Sequence, residues 1–399
     1  MTETTNVSPQ FIRSLMAALL YWQQRTSRLD DPTLSWLDEE RHNLYRIVKY
    51  GMELSQTWQK TAVILLQLFE LIDRRGYWVE WIPLLQQAID RCDQQTLALK
   101  FQLLIHLGKF LRADKLETAV DTHLQAKAIA DYLADEQALA EANLNLCTDY
   151  VQLRNYEQAK EHGQAALTQF QQSGSESRLA STLHTLGILA LSNGDLPLAK
   201  ERFTRALTYW QNENNILYYA RGLCTLANTL INQEAYDEAE QHYLKAQQLL
   251  EETIYELDKV VIYMNLGILY YKRQEWGKAE AAFRAGNTPY LHKSPHIYYQ
   301  TNMANNLGNV LAKQERWAQA ESYLRQAHQL ARTTSDDVQL ANVAGSLGEV
   351  LIAQNKPAEA KILLTDAINL LQKYPGDAWG QKLQKQFLAL LEKTKELRK

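Results

Sequence analysis

Hydrophobic and small residues recur along the chain with a period near forty. A leucine, usually followed by glycine or another small residue, returns every 39 to 41 residues, at Leu68, Leu107, Leu146, Leu186, Leu226, Leu266, Leu307 and Leu347. One of these leucines, Leu307, lies on the same helical face as Val310 and Leu311 when each residue turns the helix by 100°. The pattern predicts one amphipathic helix around each leucine.

A second set of positions keeps a fixed distance from each leucine. Ten residues beyond it stands a large side chain, at Trp78, Tyr156, Leu196, Tyr236, Trp276 and Trp317. Thirteen residues beyond it stands alanine, and seven further another small residue, as in Ala159 and Ala166 or Ala320 and Ala327. Small residues let two helices approach closely, so this set predicts a second helix packed antiparallel on the first.

This combination of a Leu-Gly pair, an aromatic residue and two alanines resembles the tetratricopeptide repeat over residues 57–374. The resemblance implies an all-α fold, a right-handed superhelix of eight helix pairs in which each repeat buries its apolar face against its neighbours. The period of about 40 exceeds the usual 34 of the family, so we expect longer helices in each pair.

The two ends of the chain differ from the repeats. Residues 1–56 are predicted to form a helical pair continuous with the solenoid, with Ser8 and Pro9 starting its first helix and Asp31 and Pro32 its second. Trp81 stands where other copies carry alanine, so packing there should differ. Residues 375–399 place Leu383, Phe387, Leu390 and Leu391 on one helical face, which predicts a C-terminal capping helix.

Two further resemblances concern subfamilies. Glu40, Asn43 and Leu44, followed by long repeats, resemble the sensor region of STAND-class and maltose-activator-like regulators. The GxxxxGK[ST] nucleotide motif of those regulators does not occur in the sequence, so this resemblance implies a detached sensor. Asparagines directly before the leucine, at Asn145, Asn265 and Asn306, are similar to those in kinesin light chains, and we expect semi-buried structural amides there.

Candidate ligand-binding positions follow from the helical wheel around Leu307. Asn302, Asn305, Asn309 and Lys313 fall almost opposite the packed face. In tetratricopeptide arrays this side of the first helix faces a concave groove where partners usually bind. Extending the resemblance to the corresponding slots of other repeats adds His184, Arg221, Asn228, Asn232, Met264, Ile268 and Tyr271.

The apolar members of this set have two interpretations. Ile188, Met264 and Ile268 could accept anchor residues of a partner, or they could pack against neighbouring helices in a tightly wound array. Asparagine carries both a donor and an acceptor, so the amides could hold a peptide backbone whatever its side chains are.

Composition and motifs narrow the possible chemistry. A net charge of −4 gives no general electrostatic case for nucleic acid, and no apolar run suggests a membrane span or signal peptide, so we expect a cytoplasmic protein. The three cysteines lack metal-ligand spacing, and no GxSxG, HExxH or GxGxxG occurs, so we expect no metal, no cofactor and no enzyme activity. His292 and His296 flank a proline in a segment expected to be an exposed loop, because Gly286 and Pro289 should end the preceding helix early.

The sequence therefore favours a non-catalytic module that binds a protein or peptide partner in a concave groove, as an adaptor or a detached sensor. The alternative is a sensor of a small ligand such as an oligosaccharide, with paired tyrosines at positions 218–219, 270–271 and 298–299 as stacking surfaces. The sequence does not specify the oligomeric state.

Overall fold

The computed structural model describes residues 8–27, 39–69, 72–73, 78–112, 115–253, 255–294, 296–334, 336–374 and 378–396. Within these ranges the chain is all-α and has no strand. The helices are α1 (Pro9–Thr26), α2 (Arg41–Glu53), α3 (Trp58–Gln67), α4 (Trp78–Asp90), α5 (Leu97–Leu111), α6 (Leu116–Leu133), α7 (Glu136–Gln152), α8 (Tyr156–Ser173), α9 (Glu176–Ser192), α10 (Leu196–Asn212), α11 (Ile216–Asn232), α12 (Tyr236–Leu250), α13 (Glu256–Lys272), α14 (Trp276–Gly286), α15 (Pro289–Lys293), α16 (Ile297–Lys313), α17 (Trp317–Ala331), α18 (Asp337–Ala353), α19 (Pro357–Leu371) and α20 (Ala378–Glu396).

The helices pack in sequential pairs, as in a tetratricopeptide-like solenoid, and the chain divides into two compact units. Unit 1 comprises Met1–Gly222 and unit 2 comprises Leu223–Lys399. In unit 1 the pairs are α5 with α6, α7 with α8, and α9 with α10. In unit 2 they include α13 with α14, α16 with α17, and α18 with α19. The predicted helical pairs are therefore present.

The recurring leucine joins one repeat to the previous one. Leu186, on α9, is 2% exposed and belongs to a buried cluster with Cys147 on α7 and Ala159 on α8. In unit 2, Leu347 packs in the same way with Leu311 and Ala320. A repeat therefore buries its leucine against the preceding helix pair, which explains why a single pair could not cover its own apolar face.

Glycine follows the leucine where an aromatic ring of the second helix approaches the first. A Cβ at Gly187 would lie 2.5 Å from the ring of Phe203, and a Cβ at Gly267 would lie 2.4 Å from the ring of Phe283. Both rings are almost completely buried. At Gly308 and Gly348 the close neighbour is a leucine, Leu324 or Leu364. The Leu-Gly pair therefore combines a side chain that fills the inter-repeat core with a position that admits a large side chain of the paired helix.

The turn inside each regular repeat has a left-handed residue eight positions after the leucine. Its φ lies between 58° and 79° at Arg154, Gly194, Glu234, Gln274, Glu315 and Asn355. The next backbone N–H closes the turn on a carbonyl five residues back, as from Asn155 to Tyr150 at 2.9 Å and from Arg316 to Leu311 at 2.9 Å. This is the Schellman motif that ends helices, repeated along the array.

The first helix begins as the sequence predicts. Ser8 caps α1 by accepting a hydrogen bond from the Phe11 N–H at 3.2 Å, and Pro9 occupies the first turn. The second predicted start, at Asp31 and Pro32, lies outside the described residues. Trp81 is 1% exposed and meets the ring of Tyr45 edge-on, so a large aromatic replaces the small residue found there in other repeats.

The segment after α14 differs from the expected exposed loop. As predicted, α14 ends at Gly286, but Pro289 then starts the short helix α15 with Thr288 as its cap. Leu291 is fully buried and His296 is only 6% exposed, whereas His292 is exposed. Gln300 holds the segment by donating to the carbonyls of Leu291 and Ser294 at 2.9 and 2.8 Å. The segment is therefore not the exposed loop expected for both histidines: His292 is exposed, whereas His296 is buried and the backbone is tied to α16.

Among the described residues, no helix is both long enough and apolar enough to cross a membrane.

Candidate functional site

The groove stripe predicted from the helical wheel separates into buried and accessible slots. The slot two residues before the leucine is enclosed: Asn305 is 4% exposed, Met264 9% exposed, and His184 half-buried. Gly345 shows the reason, since a Cβ at this slot of α18 would overlap the ring of Phe387 on α20. The next helix of the array thus covers this slot. The wheel placed Asn305 and Met264 on an open face because it does not represent that neighbouring helix.

The slots five residues before and two residues after the leucine remain accessible. Asn302, Arg221, Asn309 and Ile268 are half-buried there, and Asn228 is exposed. Lys313 and Asn232, six residues after their leucines, are exposed. Of these, only Arg221 lies in unit 1. The structure therefore keeps part of the predicted stripe available to a ligand in unit 2.

In unit 2 the amides of α16 meet α18. We call Asn302, Asn305, Asn309 and Gln339 the amide row. The Gln339 Nε2 donates to Asn302 Oδ1 at 3.2 Å and to the Tyr298 carbonyl at 3.3 Å. Because both of these partners are acceptors, the side-chain nitrogen of Gln339 must face them, and Gln339 Oε1 points away from them. Gln339 Oε1 and Asn305 Oδ1 are buried and have no hydrogen-bond partner among the described residues.

Other predicted site residues of unit 2 already have partners within the fold. Asn228 Oδ1 accepts from the Tyr243 hydroxyl at 2.5 Å. Lys313 lies 3.8 Å from a carboxylate oxygen of Glu349 on α18, an ion pair that is open to solvent. The ring of Tyr271 meets Trp276 edge-on at 5.1 Å. Asn228 therefore has a packing role in addition to any ligand role.

His184 packs against aromatic rings of unit 1. Its ring lies 5.4 Å from the rings of both Phe203 and Trp210. Burial lowers the pKa of His184 to about 4, so the imidazole is neutral at pH 7. These contacts indicate that His184 packs within the repeat core, and they give no indication that it binds a ligand.

In unit 1, side chains from several first helices surround a cavity of about 500 Å³. We call it the basic cavity. Four cationic groups line it, and among the described lining residues Asp73 is the only one with a carboxylate. The lining side chains are Phe69, Asp73, His106, Lys109, Arg112, Ser177, Arg178, Ser181, Leu217, Tyr218 and Arg221. Among the predicted groove residues, Arg221 lies here, with its guanidinium 5.8 Å from the ring centre of Tyr218.

Two buried carboxylates stand beside the cations of the basic cavity. Glu141 contacts Lys109 Nζ at 3.3 Å and Arg178 Nε at 3.1 Å. Asp149, with a fully buried side chain, contacts Arg112 Nε at 2.6 Å. Burial alone would raise the pKa of Glu141, but Lys109 and Arg178 outweigh it and lower that pKa. Glu141 therefore remains ionised and holds Lys109 and Arg178 in place.

The sequence analysis missed Lys109, Arg112 and Arg178. Lys109 stands two residues after Leu107, in the same slot as Asn228 and Asn309. Applying the groove assignment to the second repeat would have found it. Arg178 lies near the start of α9, outside the slots considered, and only the packing of α9 beside α7 and α5 reveals its position.

The separate asparagine series behaves as predicted at Asn145. This side chain is 4% exposed, donates to the Glu141 carbonyl at 2.9 Å, and accepts from Arg112 Nη2 at 3.2 Å. Asn265 and Asn306 are half-buried. The amide before the leucine at Asn145 is thus structural, and it also positions one cation of the basic cavity.

The part of the chain that the structure describes contains no cluster of three or more His, Cys, Asp or Glu residues able to hold a metal ion. Cys147 and Cys224 are buried, and Cys92 is half-buried. Burial raises the pKa of the Cys147 thiol to about 12, which keeps it protonated at neutral pH.

Comparison with family models identifies tetratricopeptide repeats in this chain. One tetratricopeptide repeat model matches residues 138–212 and 299–373, and a second matches residues 184–254. These ranges overlap the repeats deduced from the recurring leucines. No curated protein matches the sequence.

Solved structures with a similar fold are distant in sequence. A Rap protein complexed with Competence and Sporulation Factor is 14% identical, with coverage of 97% of this chain and 99% of that one and a TM-score of 0.55. Aspartyl phosphate phosphatase F from Bacillus subtilis is 13% identical, with coverage of 100% and 96% and a TM-score of 0.51. A STAND protein with a tetratricopeptide repeat sensor from Pyrococcus horikoshii is 14% identical, with 89% of this chain and 54% of that chain covered and a TM-score of 0.58. At these identities the likeness establishes the fold alone.

Proposed function

We propose that this chain, which is a tetratricopeptide repeat protein, is a non-catalytic binding module that holds an extended segment of a partner protein along the first helices of its repeats. Folds of this kind are typical of protein-binding modules. The Rap protein of similar fold was solved in complex with Competence and Sporulation Factor, which agrees with a binding role.

The amide row carries the proposal. Its members Asn302 and Asn309 are accessible on α16, whereas Gln339 Oε1 and Asn305 Oδ1 are buried out of reach of a partner. An amide offers both a hydrogen-bond donor and an acceptor, and an extended polypeptide presents backbone N–H and C=O groups at regular intervals. The two accessible amides can therefore hold the backbone of such a segment.

The oligosaccharide alternative has less support from the tyrosines. The Tyr270 hydroxyl donates to Glu240 at 2.7 Å and its ring is 9% exposed. Tyr271 lies edge-on to Trp276. A sugar-stacking surface requires open ring faces, which the buried Tyr270 does not provide and the half-buried Tyr271 provides only in part.

The test is selection from a random peptide display library on the intact protein, followed by calorimetry with the individual selected peptides. We expect the double variant Asn302→Ala plus Asn309→Ala to bind a selected peptide at least tenfold more weakly than wild type, which corresponds to about 1.4 kcal/mol. The matched control is Gln326→Ala plus Gln329→Ala, which removes two exposed amides from α17.

Equal weakening by both double variants would contradict the proposal, as would a selection that enriches no binding peptide. Melting temperatures of all variants verify that the loss arises from binding, because Asn302 also accepts a hydrogen bond from Gln339.

A further inference from the structure

The basic cavity of unit 1 combines positive charge with an enclosed shape. Its volume of about 500 Å³ exceeds that of a single side chain, and Lys109, Arg112, Arg178 and Arg221 all border it. An adjoining cavity of about 300 Å³ shares His106, Lys109 and Arg178 with it and extends along α7. The two cavities are therefore neighbours that share Lys109 and Arg178, and the smaller one is also lined by Asp135 and Glu141.

The buried carboxylates use only part of the hydrogen-bonding capacity of these cations. Arg178 contacts Glu141 through Nε, and its side chain is 47% exposed. Arg112 contacts Asp149 through Nε and Asn145 through Nη2. A guanidinium has five N–H donors in a planar fork, so each arginine can engage a second anion while its internal carboxylate holds it in position.

Loss of hydration at Lys109 also favours the binding of an anion. Burial lowers the pKa of Lys109 because the ammonium has lost part of its hydration, even though Glu141 counteracts that effect. An anion inside the cavity would replace that hydration with a direct charge contact, and the low surrounding polarity would strengthen it.

His106 gives the wall a neutral polar group. Its ring stacks on Phe69 with 4.1 Å between ring centres, and burial lowers its pKa to about 3, so the imidazole is uncharged at pH 7. The Nδ1 atom is buried and has no hydrogen-bond partner among the described residues. His106 therefore lines the cavity as an uncharged ring and adds no further charge to the wall.

We propose that the basic cavity binds the side-chain carboxylates of an acidic polypeptide segment. Lys109 lies on α5, Arg112 directly follows that helix, and Arg178 and Arg221 lie on α9 and α11. The four cations therefore come from different parts of the wall, and an anion-bearing segment that spans several residues fits this arrangement better than a single small ion does. Phe69 and Tyr218 in the same wall supply apolar surface for the segment between its carboxylates. The inference deepens the proposed binding function, but it concerns different residues in a different unit.

The experiment measures binding of a capped octapeptide of alternating alanine and glutamate by calorimetry, at low and at high salt. The comparison probes are the same peptide with glutamine in place of glutamate, a capped phosphoserine peptide of the same length, and inorganic phosphate. We expect the glutamate peptide to bind, the glutamine peptide to bind at least tenfold more weakly, and the affinity to fall as salt rises.

Arg178→Gln should weaken binding of the glutamate peptide at least tenfold. Arg205→Gln is the matched control, because Arg205 is also 47% exposed and also pairs with one glutamate, but it lies on α10 outside the cavity wall. Lys109→Gln should weaken binding as well, and its melting temperature shows whether the loss of its partnership with Glu141 has disturbed the fold.

The proposal fails if the glutamate and glutamine peptides bind equally, or if Arg178→Gln and Arg205→Gln have the same effect. It also fails if only phosphate or the phosphopeptide binds, because the cavity would then select phosphate over carboxylate. The variants of the amide row separate this inference from the proposed function. Binding of the glutamate peptide that depends on Arg178 but not on Asn302 and Asn309 supports the basic cavity, whereas the peptides selected from the library decide separately on the amide row.

Discussion

At the scale of single residues, positions on the same side of a helical wheel differ in how exposed they are. The wheel predicts which residues of a first helix face away from its paired second helix, and Asn302, Asn309 and Lys313 are accessible as that reasoning requires. Asn305 lies on the same side of the wheel and is buried. A single-helix projection has no information about the next first helix, so accessible and inter-repeat positions could not be separated from sequence alone.

Asn228 and Asn232 provide a direct test at this scale, because both are exposed and both belong to α11. Asn228→Ala should lower the free energy of unfolding by about 1–3 kcal/mol, since the nearly buried Tyr243 hydroxyl would lose its acceptor. Asn232→Ala should stay within about 0.5 kcal/mol of wild type. Urea unfolding of the two variants measures both values, and equal values would show that the Tyr243 bond contributes nothing.

His184 makes the stability of the chain depend on pH. Burial places its folded pKa at about 4, below the ordinary value of 6.5, so protons bind the unfolded chain more readily. Its contribution is therefore complete above pH 6.5 and is lost as pH falls from about 6.5 towards 4. Between pH 7 and pH 5 this single group should reduce the free energy of unfolding by about 2 kcal/mol.

His184→Gln should remove that part of the pH dependence, whatever it does to stability at pH 7. The measurement is urea unfolding of wild type and variant at both pH values. If the two proteins lose the same free energy between pH 7 and pH 5, then His184 does not titrate as its burial requires.

At the scale of helices, the apolar face predicted from the sequence for the C-terminal helix α20 is buried in the structure. Leu383 and Phe387 of α20 are 3% and 4% exposed and join a cluster with Leu364 and Ile368 of α19. The amphipathic pattern was sufficient to predict this buried face. The pattern was not sufficient to predict that Phe387 packs against Gly345 on α18, since this contact joins residues far apart in the sequence.

Adjacent residues of α20 test its role as the capping helix, which remains a prediction. Phe387→Ala should destabilise the protein by about 3–5 kcal/mol, because a large cavity would open over Gly345. Leu388→Ala should have almost no effect, since Leu388 is 50% exposed. Melting temperatures of the two variants distinguish them, and similar small shifts would show that α20 is not part of the core.

At the scale of the whole molecule, the repeat architecture was predictable because its signal recurs at least six times in register. The basic cavity was not predictable in the same way, because its four cations Lys109, Arg112, Arg178 and Arg221 occupy four different positions relative to the recurring leucines. Repetition identifies what successive repeats have in common, whereas a binding site arises from the positions at which they differ. The period of forty therefore determined the fold and left the ligand chemistry to individual side chains.

The left-handed turns inside the repeats bear on how much change the protein can tolerate. Only Gly194 among the six is glycine, although residues with a side chain are disfavoured by about 1–2 kcal/mol in this conformation. Glu234, Gln274 and Glu315 are exposed. Replacing each by glycine should raise the free energy of unfolding by up to about 1 kcal/mol, because relief of the backbone conformation outweighs the greater entropy of glycine in the unfolded chain.

Thermal unfolding of the triple variant Glu234→Gly, Gln274→Gly and Glu315→Gly measures this gain, and Gly194→Ala should show the opposite shift. A triple variant that melts at or below the wild-type temperature would contradict the argument. If the gain is present, the turns are sites where substitutions can still increase the stability of the protein. Substitutions there could offset destabilising changes in the first helices, so that the array could acquire a new ligand specificity without losing its fold.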